Sequence, residues 1–202
     1  FQGDPRTVKT YAHLGDPISI AKKWQNEGAS ALHIIDLDAA LSLGTNIATI
    51  SRIIKALEIP TQVGGGIRKI ETARQMLSTG IERVILGALA FDQPQILNDL
   101  RNEFGEERIV VALDNRNGKV VVEGWKASTQ SGVEEALQRF SKLKVRTFLV
   151  TSVSRDGSLF GPDIETLRNT CAYPDVNIIA AGGIRNLNDL ATLKKIGVKE
   201  VV

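Results

Sequence analysis

Two stretches of the chain share one pattern, Thr61-Gln-Val-Gly-Gly-Gly-Ile-Arg68 and Ile178-Ile-Ala-Ala-Gly-Gly-Ile-Arg185, and they lie 117 residues apart. Each is a short strand pattern ended by adjacent glycines and followed by a helical pattern. The spacing continues without a gap on both sides: Gly44 falls on Gly161, Ile47 on Ile164, Thr49 on Thr166, Gly80 on Gly197 and Val84 on Val201. The sequence therefore contains a repeated half. Glycines that end a buried strand and open a helix leave bare backbone N–H groups beside the positive end of a helix dipole, an arrangement that binds phosphate. One such spot in each half places two phosphate sites across a pseudo-twofold axis, which suits a ligand with a phosphate at both ends.

Outward from these copies, helical and strand patterns alternate. Asp16-Pro17 starts a helix, with the aspartate as cap and the proline in the first turn, and Ile20, Ala21 and Trp24 share its face up to Gly28. Ala31 to Ile35 is an apolar run with the pattern of a strand covered on both faces. Helices at 46–57, 70–79, 93–104, 131–143, 163–171 and 186–196 then precede strands at 60–63, 83–86, 109–113, 147–151, 177–181 and from Lys199. Strict alternation with short connections predicts right-handed crossovers and a parallel sheet. The fold class is α/β, and residues 1–202 form one domain.

The alternation begins on a helix, so one strand is expected before it, and with that strand the count reaches eight helices and eight strands. That number closes a (β/α)8 barrel. A doubly wound open sheet is the alternative, but it has no place for a repeated half. Phe1 to Leu14 reads as a loop or short ribbon, and Val201 and Val202 read as mid-strand. The expectation is a barrel lacking its first strand and the end of its eighth unit, hence a piece of a longer protein. Such a piece alone would leave two sheet edges open and would be inactive.

With 25 basic and 23 acidic residues and no long basic run, the chain carries no footprint for nucleic acid or an anionic membrane. A hydrophobic share of 43% is that of a soluble globular chain. Its one cysteine, Cys171, cannot form an internal disulfide and reads as a small buried hydrophobe. Cytoplasmic localisation is expected. With two histidines, His13 and His33, and no cysteine cluster, neither a metal site nor a cofactor is expected.

In a parallel barrel the chemistry sits where the strands end. Those ends give His33 and Asp36, Gly64 to Gly66, Gly87, Asp114, Thr151, and Gly182 with Gly183. Asp114 follows the buried run Ile109–Leu113, where a carboxylate is either desolvated into a general acid or caps the turn Asn115-Arg-Asn-Gly118. Shifting the repeat by one residue sets His33 opposite Thr151 and Asp38 opposite Asp156, with both His33 and Thr151 facing the axis. Trp125 is either a lid over a ligand or a plug on the helix layer.

At these residues the sequence resembles the phosphoribosylformimino-aminoimidazole-carboxamide ribotide isomerases of histidine biosynthesis. The resemblance spans the chain and is carried by Gln2–Pro5, Leu32–Asp38, Gln62–Arg68, Val84–Gly87, Leu113-Asp114 with Gly118–Val120, Gly124-Trp125, Thr151 with Arg155–Gly157, and Ala181–Gly183. It implies a duplicated (β/α)8 barrel, a substrate with two phosphates, and an Amadori rearrangement of an aminoaldose to an aminoketose. By the same resemblance Asp114 is the general acid, and Thr151 and His33 support the reacting carbons. Arg68 and Trp125 contact substrate, Asp156 is a further binding residue, Gly65 and Gly66 with Gly87 take one phosphate, and Gly182 and Gly183 take the other. The family's second catalytic aspartate, ending strand one, has no counterpart here, nor does the strand-eight phosphate loop. Ala39 stands where a glycine is usual and Ala88 where a threonine or serine is frequent. The full-length protein is expected to be a monomer. Three alternatives remain: the sister cyclase subunit that makes imidazole glycerol phosphate, a bifunctional isomerase that also accepts phosphoribosyl anthranilate, and a non-catalytic barrel.

Overall fold

The computed structural model describes residues 12–125 and 127–202; the expected irregular segment up to residue 11 lies outside them. The parallel strands are β1 (Leu32–Ile35), β2 (Thr61–Gly64), β3 (Arg83–Leu86), β4 (Ile109–Arg116), β7 (Thr147–Ser152), β8 (Asn177–Ala181) and β9 (Glu200–Val201). They are hydrogen-bonded in the order β1-β2-β3-β4-β7-β8-β9. Between β4 and β7 stands an antiparallel hairpin, β5 (Lys119–Val122) and β6 (Ala127–Gly132).

That hairpin corrects the strict alternation expected from the sequence. Arg116 pairs with Lys119, leaving Asn117 and Gly118 as a two-residue turn in which φ is 53° and 75°. Positive φ at both turn residues is what Asn-Gly supplies most readily, and it matches the twist of the flanking strands. The same dipeptide reads in the sequence only as a turn after Asp114.

Helices α1 (Pro17–Asn26), α2 (Leu37–Ala40), α3 (Ile47–Ala56), α4 (Ile70–Ser78), α5 (Ala88–Asp92), α6 (Ile96–Phe104), α7 (Val133–Lys142), α8 (Ile164–Cys171) and α9 (Leu187–Lys195) cover the sheet. Asp16 caps α1 by accepting from the N–H groups of Ile18 and Ser19, and Pro17 follows it. The helix expected at 93–104 is α6, which starts at Ile96, and the short helix α5 precedes it as an element that the sequence reading lacks. In α7 the buried residues Val133, Ala136, Leu137 and Phe140 recur at helical spacing and press onto the sheet.

Alternation along the strands sorts side chains into two cores. Val84, Leu86, Val111, Leu113, Phe148 and Val150 face the helices, whereas Ile85, Val110, Ala112, Leu149 and Ile179 pack together inside the barrel. Fully burying one such side chain contributes about 1.5–3 kcal/mol. The alternation continues inward from Val110 and Ala112 to Asp114, and from Leu149 to Thr151.

The repeat is visible in the fold: α3 and α8 start 117 residues apart, and α4 and α9 both start and end at that spacing. It also shows that the sheet is rolled. Arg83 opens β3 and Glu200 opens β9, its repeat counterpart four strand spacings away, about 19 Å across a flat sheet. Yet the Arg83 Nη atoms reach the Glu200 carboxylate at 2.8 and 2.5 Å. The two residues meet across the lumen, which is the geometry of a (β/α)8 barrel. The side chains are 17% and 39% exposed, so breaking the pair strands a half-buried charge. Arg83→Met is expected to cost about 1–3 kcal/mol in denaturant unfolding, and Glu200→Gln added to it to restore part of that loss.

Candidate active site

The strand ends and their loops surround one cavity of about 650 Å³. Asp114, at the inward position near the end of β4, lies in its wall. Trp125 Nε1 donates to Asp114 Oδ2 at 2.8 Å, and Thr151 supplies a second hydrogen bond to the same carboxyl. Burial is the largest influence and lifts the Asp114 carboxyl above the ordinary carboxylate range; the charge of Asp156 acts in the same direction, against the two hydrogen bonds. Asp156 also lines the cavity, and burial raises its carboxyl too. Two carboxyls held toward their neutral forms in one cavity are suited to proton donation.

Trp125 is therefore a cavity residue, not a plug on the helix layer. The hairpin carries it in: Val121, Val122, Glu123 and Gly124 also line the cavity. Glu123 and Trp125 hold left-handed backbone with φ of 57° and 71°. Conformations of that kind cost energy in non-glycine residues and persist where the surroundings enforce them.

His33 lines the cavity from β1, with its Nδ1 2.9 Å from Gln62 Nε2 on β2. The register corrects the expected pairing of His33 with Thr151. Ile35 pairs with Gly64 and Thr151 with Ala181, and Gly64 and Ala181 are repeat counterparts. The counterpart of Thr151 is thus Ile35, and His33 sits one inward position deeper, at the level of Leu149. Burial first, and then the charge of Arg83, lowers the His33 pKa from 6.5 to about 4.

A histidine whose folded pKa is depressed lets the unfolded chain bind the extra proton. Its contribution to stability is present above about pH 6.5 and is lost as pH falls toward 4. Comparing unfolding free energies at roughly pH 7.5 and roughly pH 4.5, His33→Asn should lose about 2–3 kcal/mol less than the parent.

The paired glycines have a packing role that the sequence does not reveal. Gly65 and Gly66 adopt φ of 96° and 65°, and a Cβ on them would stand 2.5 Å from Asp36 O and 2.2 Å from Ala39 C. Gly182 and Gly183 meet Ser152 O and Gly161 O in the same way, at 2.8 and 2.4 Å. In each half the pair lets the preceding βα loop lie directly against the strand end, and only glycine fits. Nor do the pairs open their helices, because Lys69 and Asn186 are the residues that cap α4 and α9. Gly65 and Gly66 line the cavity; among the described residues that form it, Gly182 and Gly183 are not found.

Gly87, by contrast, does open a helix beside the cavity. It caps α5, lines the cavity, and has nothing within 4 Å of where a Cβ would stand. Arg68 lines the same side, its Nη1 donating to Ala39 O at 2.6 Å and its Nη2 to Ala40 O at 2.9 Å. Its counterpart Arg185 pairs with Asp189 at 3.0 Å; Thr72 occupies the matching place beside Arg68, which braces the loop instead.

Asn115 and Asp36 shape the site from behind. Asn115 is fully buried and its Nδ2 donates to Thr151 O at 3.0 Å, fixing the end of β7 beside Asp114. Buried Asp36 accepts from Asn46 N at 2.7 Å and from Ala39 N at 3.1 Å, so it organises the loop after β1. In the sequence the Asn-Gly turn signal places Asn115 in a loop; continuing the β4 alternation by two residues from Leu113 places it on the buried outer face.

A rolled parallel sheet with an acid-bearing cavity at the carboxyl ends of its strands defines a (β/α)8-barrel enzyme. The chain belongs to the histidine biosynthesis protein family, whose sequence pattern matches residues 1–202. It is 41% identical over 202 residues to the 1-(5-phosphoribosyl)-5-((5-phosphoribosylamino)methylideneamino)imidazole-4-carboxamide isomerase of Methanocaldococcus jannaschii, covering 100% of this chain and 84% of that protein. The isomerase of the same name from Halothermothrix orenii is 42% identical, with the same coverage. That from Trichodesmium erythraeum is 39% identical over 206 residues, covering 100% of this chain and 79% of the relative.

Proposed function

We propose that the protein catalyses the reaction its relatives are named for, turning 1-(5-phosphoribosyl)-5-((5-phosphoribosylamino)methylideneamino)imidazole-4-carboxamide, an aminoaldose, into the corresponding aminoketose. The observation that carries this reading is the Asp114 carboxyl, lifted toward its neutral form by burial and held between Thr151 and Trp125 in a cavity large enough for such a ligand. A neutral acid there protonates the ribose ring oxygen as the C1–O bond breaks, and the resulting iminium makes the C2 hydrogen acidic. A basic group in the cavity takes that proton to give an enaminol, and protonation of the enaminol at C1 with release of the C2 hydroxyl proton gives the aminoketose. Thr151 and His33 hold the reacting carbons; Asp156 and Arg68 orient the sugar.

Gly65, Gly66 and the open backbone of Gly87 receive one terminal phosphate, and the loop at Gly182 and Gly183 the other. The protein works as a monomer in the cytoplasm on this phosphorylated small molecule. Incubation of the full-length protein with the aminoaldose, with chromatographic separation of the products, tests the reading. Accumulation of the aminoketose is expected. Binding of the aminoaldose without conversion, or conversion of an aminoketose to an imidazole product, would overturn it.

A further inference from the structure

At and beneath the floor of the cavity, four polar side chains point into the lumen from neighbouring strands and from across the barrel: His33 on β1, which lines the cavity, and Gln62 on β2, Arg83 on β3 and Glu200 on β9 below it. His33 is register-paired with Gln62, and Gln62 with Arg83. Gln62 is 4% exposed, too buried for its amide to be a solvated surface group.

We propose that Gln62 is a positioning residue for the reaction: its amide N–H donates to His33 Nδ1, fixes the imidazole as the Nε2–H tautomer, and so presents a fixed N–H donor to the substrate. This rests on the isomerase reading for what is donated to, an oxygen of the reacting ribose. The tautomer itself does not depend on it.

The geometry favours this direction of the hydrogen bond over its reverse. Gln62 Oε1 and Arg83 Nε, on register-paired residues, are both buried without a hydrogen-bond partner among the described residues. As placed, the amide sets an acceptor on the residue beside an unsatisfied donor, a complementary pair. Turned over, it would bury the two N–H donors of the amide beside the Arg83 guanidinium, leaving at least one more donor without an acceptor. With Nδ1 accepting, a neutral imidazole carries its single proton on Nε2.

The charges around His33 hold it neutral. On β3 the Arg83 guanidinium opposes a second positive charge, while Glu200 on β9 is engaged by the two Arg83 Nη atoms. The other ionisable groups lining the cavity include Asp114 on β4, Asp156 in the loop after β7, and Arg68 after β2. An N–H donor that does not titrate near neutral pH differs in kind from Asp114, which gives up its proton.

The test is nitrogen NMR of the protein labelled with 15N-histidine, in the parent and in Gln62→Glu and Gln62→Met. In the parent, one histidine should show a protonated Nε2 and an unprotonated Nδ1, unchanged between roughly pH 5.5 and roughly pH 8, and absent in His33→Asn. Gln62→Glu places a carboxylate against Nδ1, so it should move the proton to Nδ1 and raise the imidazole pKa by more than one unit. Gln62→Met should lower kcat about tenfold with KM changed less than threefold, the size expected for one lost hydrogen bond. Gln62→Asn should recover less than half of that loss, because the shorter side chain does not reach. An Nδ1–H tautomer in the parent would overturn the proposal whatever the enzyme's activity. So would kcat unchanged in Gln62→Met, provided the parent is active; an inactive parent would count against the isomerase reading alone.

Discussion

Replacing Asp114 with asparagine is expected to lower kcat by about 10²–10⁴-fold while KM moves by less than about threefold, because a positioned acid acts in the transition state and hardly in ground-state binding. Asparagine keeps the size and can still accept from Trp125 Nε1, so the cavity stays built. The same substitution should leave the protein at least as stable at neutral pH. The folded carboxyl is raised above its unfolded value, so the native state retains a proton that the unfolded chain has released. The parent's stability is therefore undiminished by this group at low pH and falls as pH rises through the raised value. An asparagine has nothing to ionise, and the stability difference in its favour should grow with pH. Steady-state kinetics and thermal melts at several pH values check both halves. Near-normal kcat would remove Asp114 from the reaction.

The second large effect separates a cavity glycine crowded by a neighbouring loop, Gly66, from one with open space around it, Gly87. Gly66→Ala places a methyl group 2.2 Å from Ala39 C on a backbone with φ of 65°. The left-handed conformation costs about 1–2 kcal/mol, and the overlap with a backbone that Arg68 also braces adds about 1–3 kcal/mol. A total near 3 kcal/mol is a large part of the roughly 5–15 kcal/mol that stabilises a domain. Gly87→Ala meets no atom within 4 Å, so it should fold with a smaller loss and raise KM for the phosphorylated substrate about tenfold or more. Melting temperature and KM measured on both variants distinguish the roles. Equal melting temperatures would contradict the crowding argument, and an unchanged KM in Gly87→Ala would detach Gly87 from phosphate binding.

Where hydrophobic pattern and chain spacing set the outcome, the sequence was legible. The 117-residue repeat returns as α4 and α9 with matching ends, and Asp16-Pro17 starts α1. Asp114 lies on the inner face because alternation along β4 carries it there from Val110 and Ala112. What the sequence concealed depends on tertiary neighbours. A Gly-Gly pair bare toward a phosphate and one crowded by a neighbouring loop read identically; only the positions of Asp36 and Ala39 tell them apart. The repeat aligned Arg83 with Glu200, but nothing in that alignment says that opposite charges at symmetry-related positions meet through the lumen. The half-repeat also shifts by one residue between β1 and β2 relative to β7 and β8. An unchanged spacing of 117 or a shift to 118 therefore misplaces His33, whereas the strand register places it directly.

The cavity's assignment is tested most directly by a crystal structure of the protein with the aminoketose product bound. One terminal phosphate is expected on the backbone N–H groups around Gly66 and Gly87, with an Asp114 carboxyl oxygen within hydrogen-bond distance of the former ring oxygen and Trp125 packed over the ligand. A product whose phosphates lie away from Gly66 and Gly87, or whose reacting carbons lie beyond hydrogen-bond reach of Asp114, would contradict the assignment.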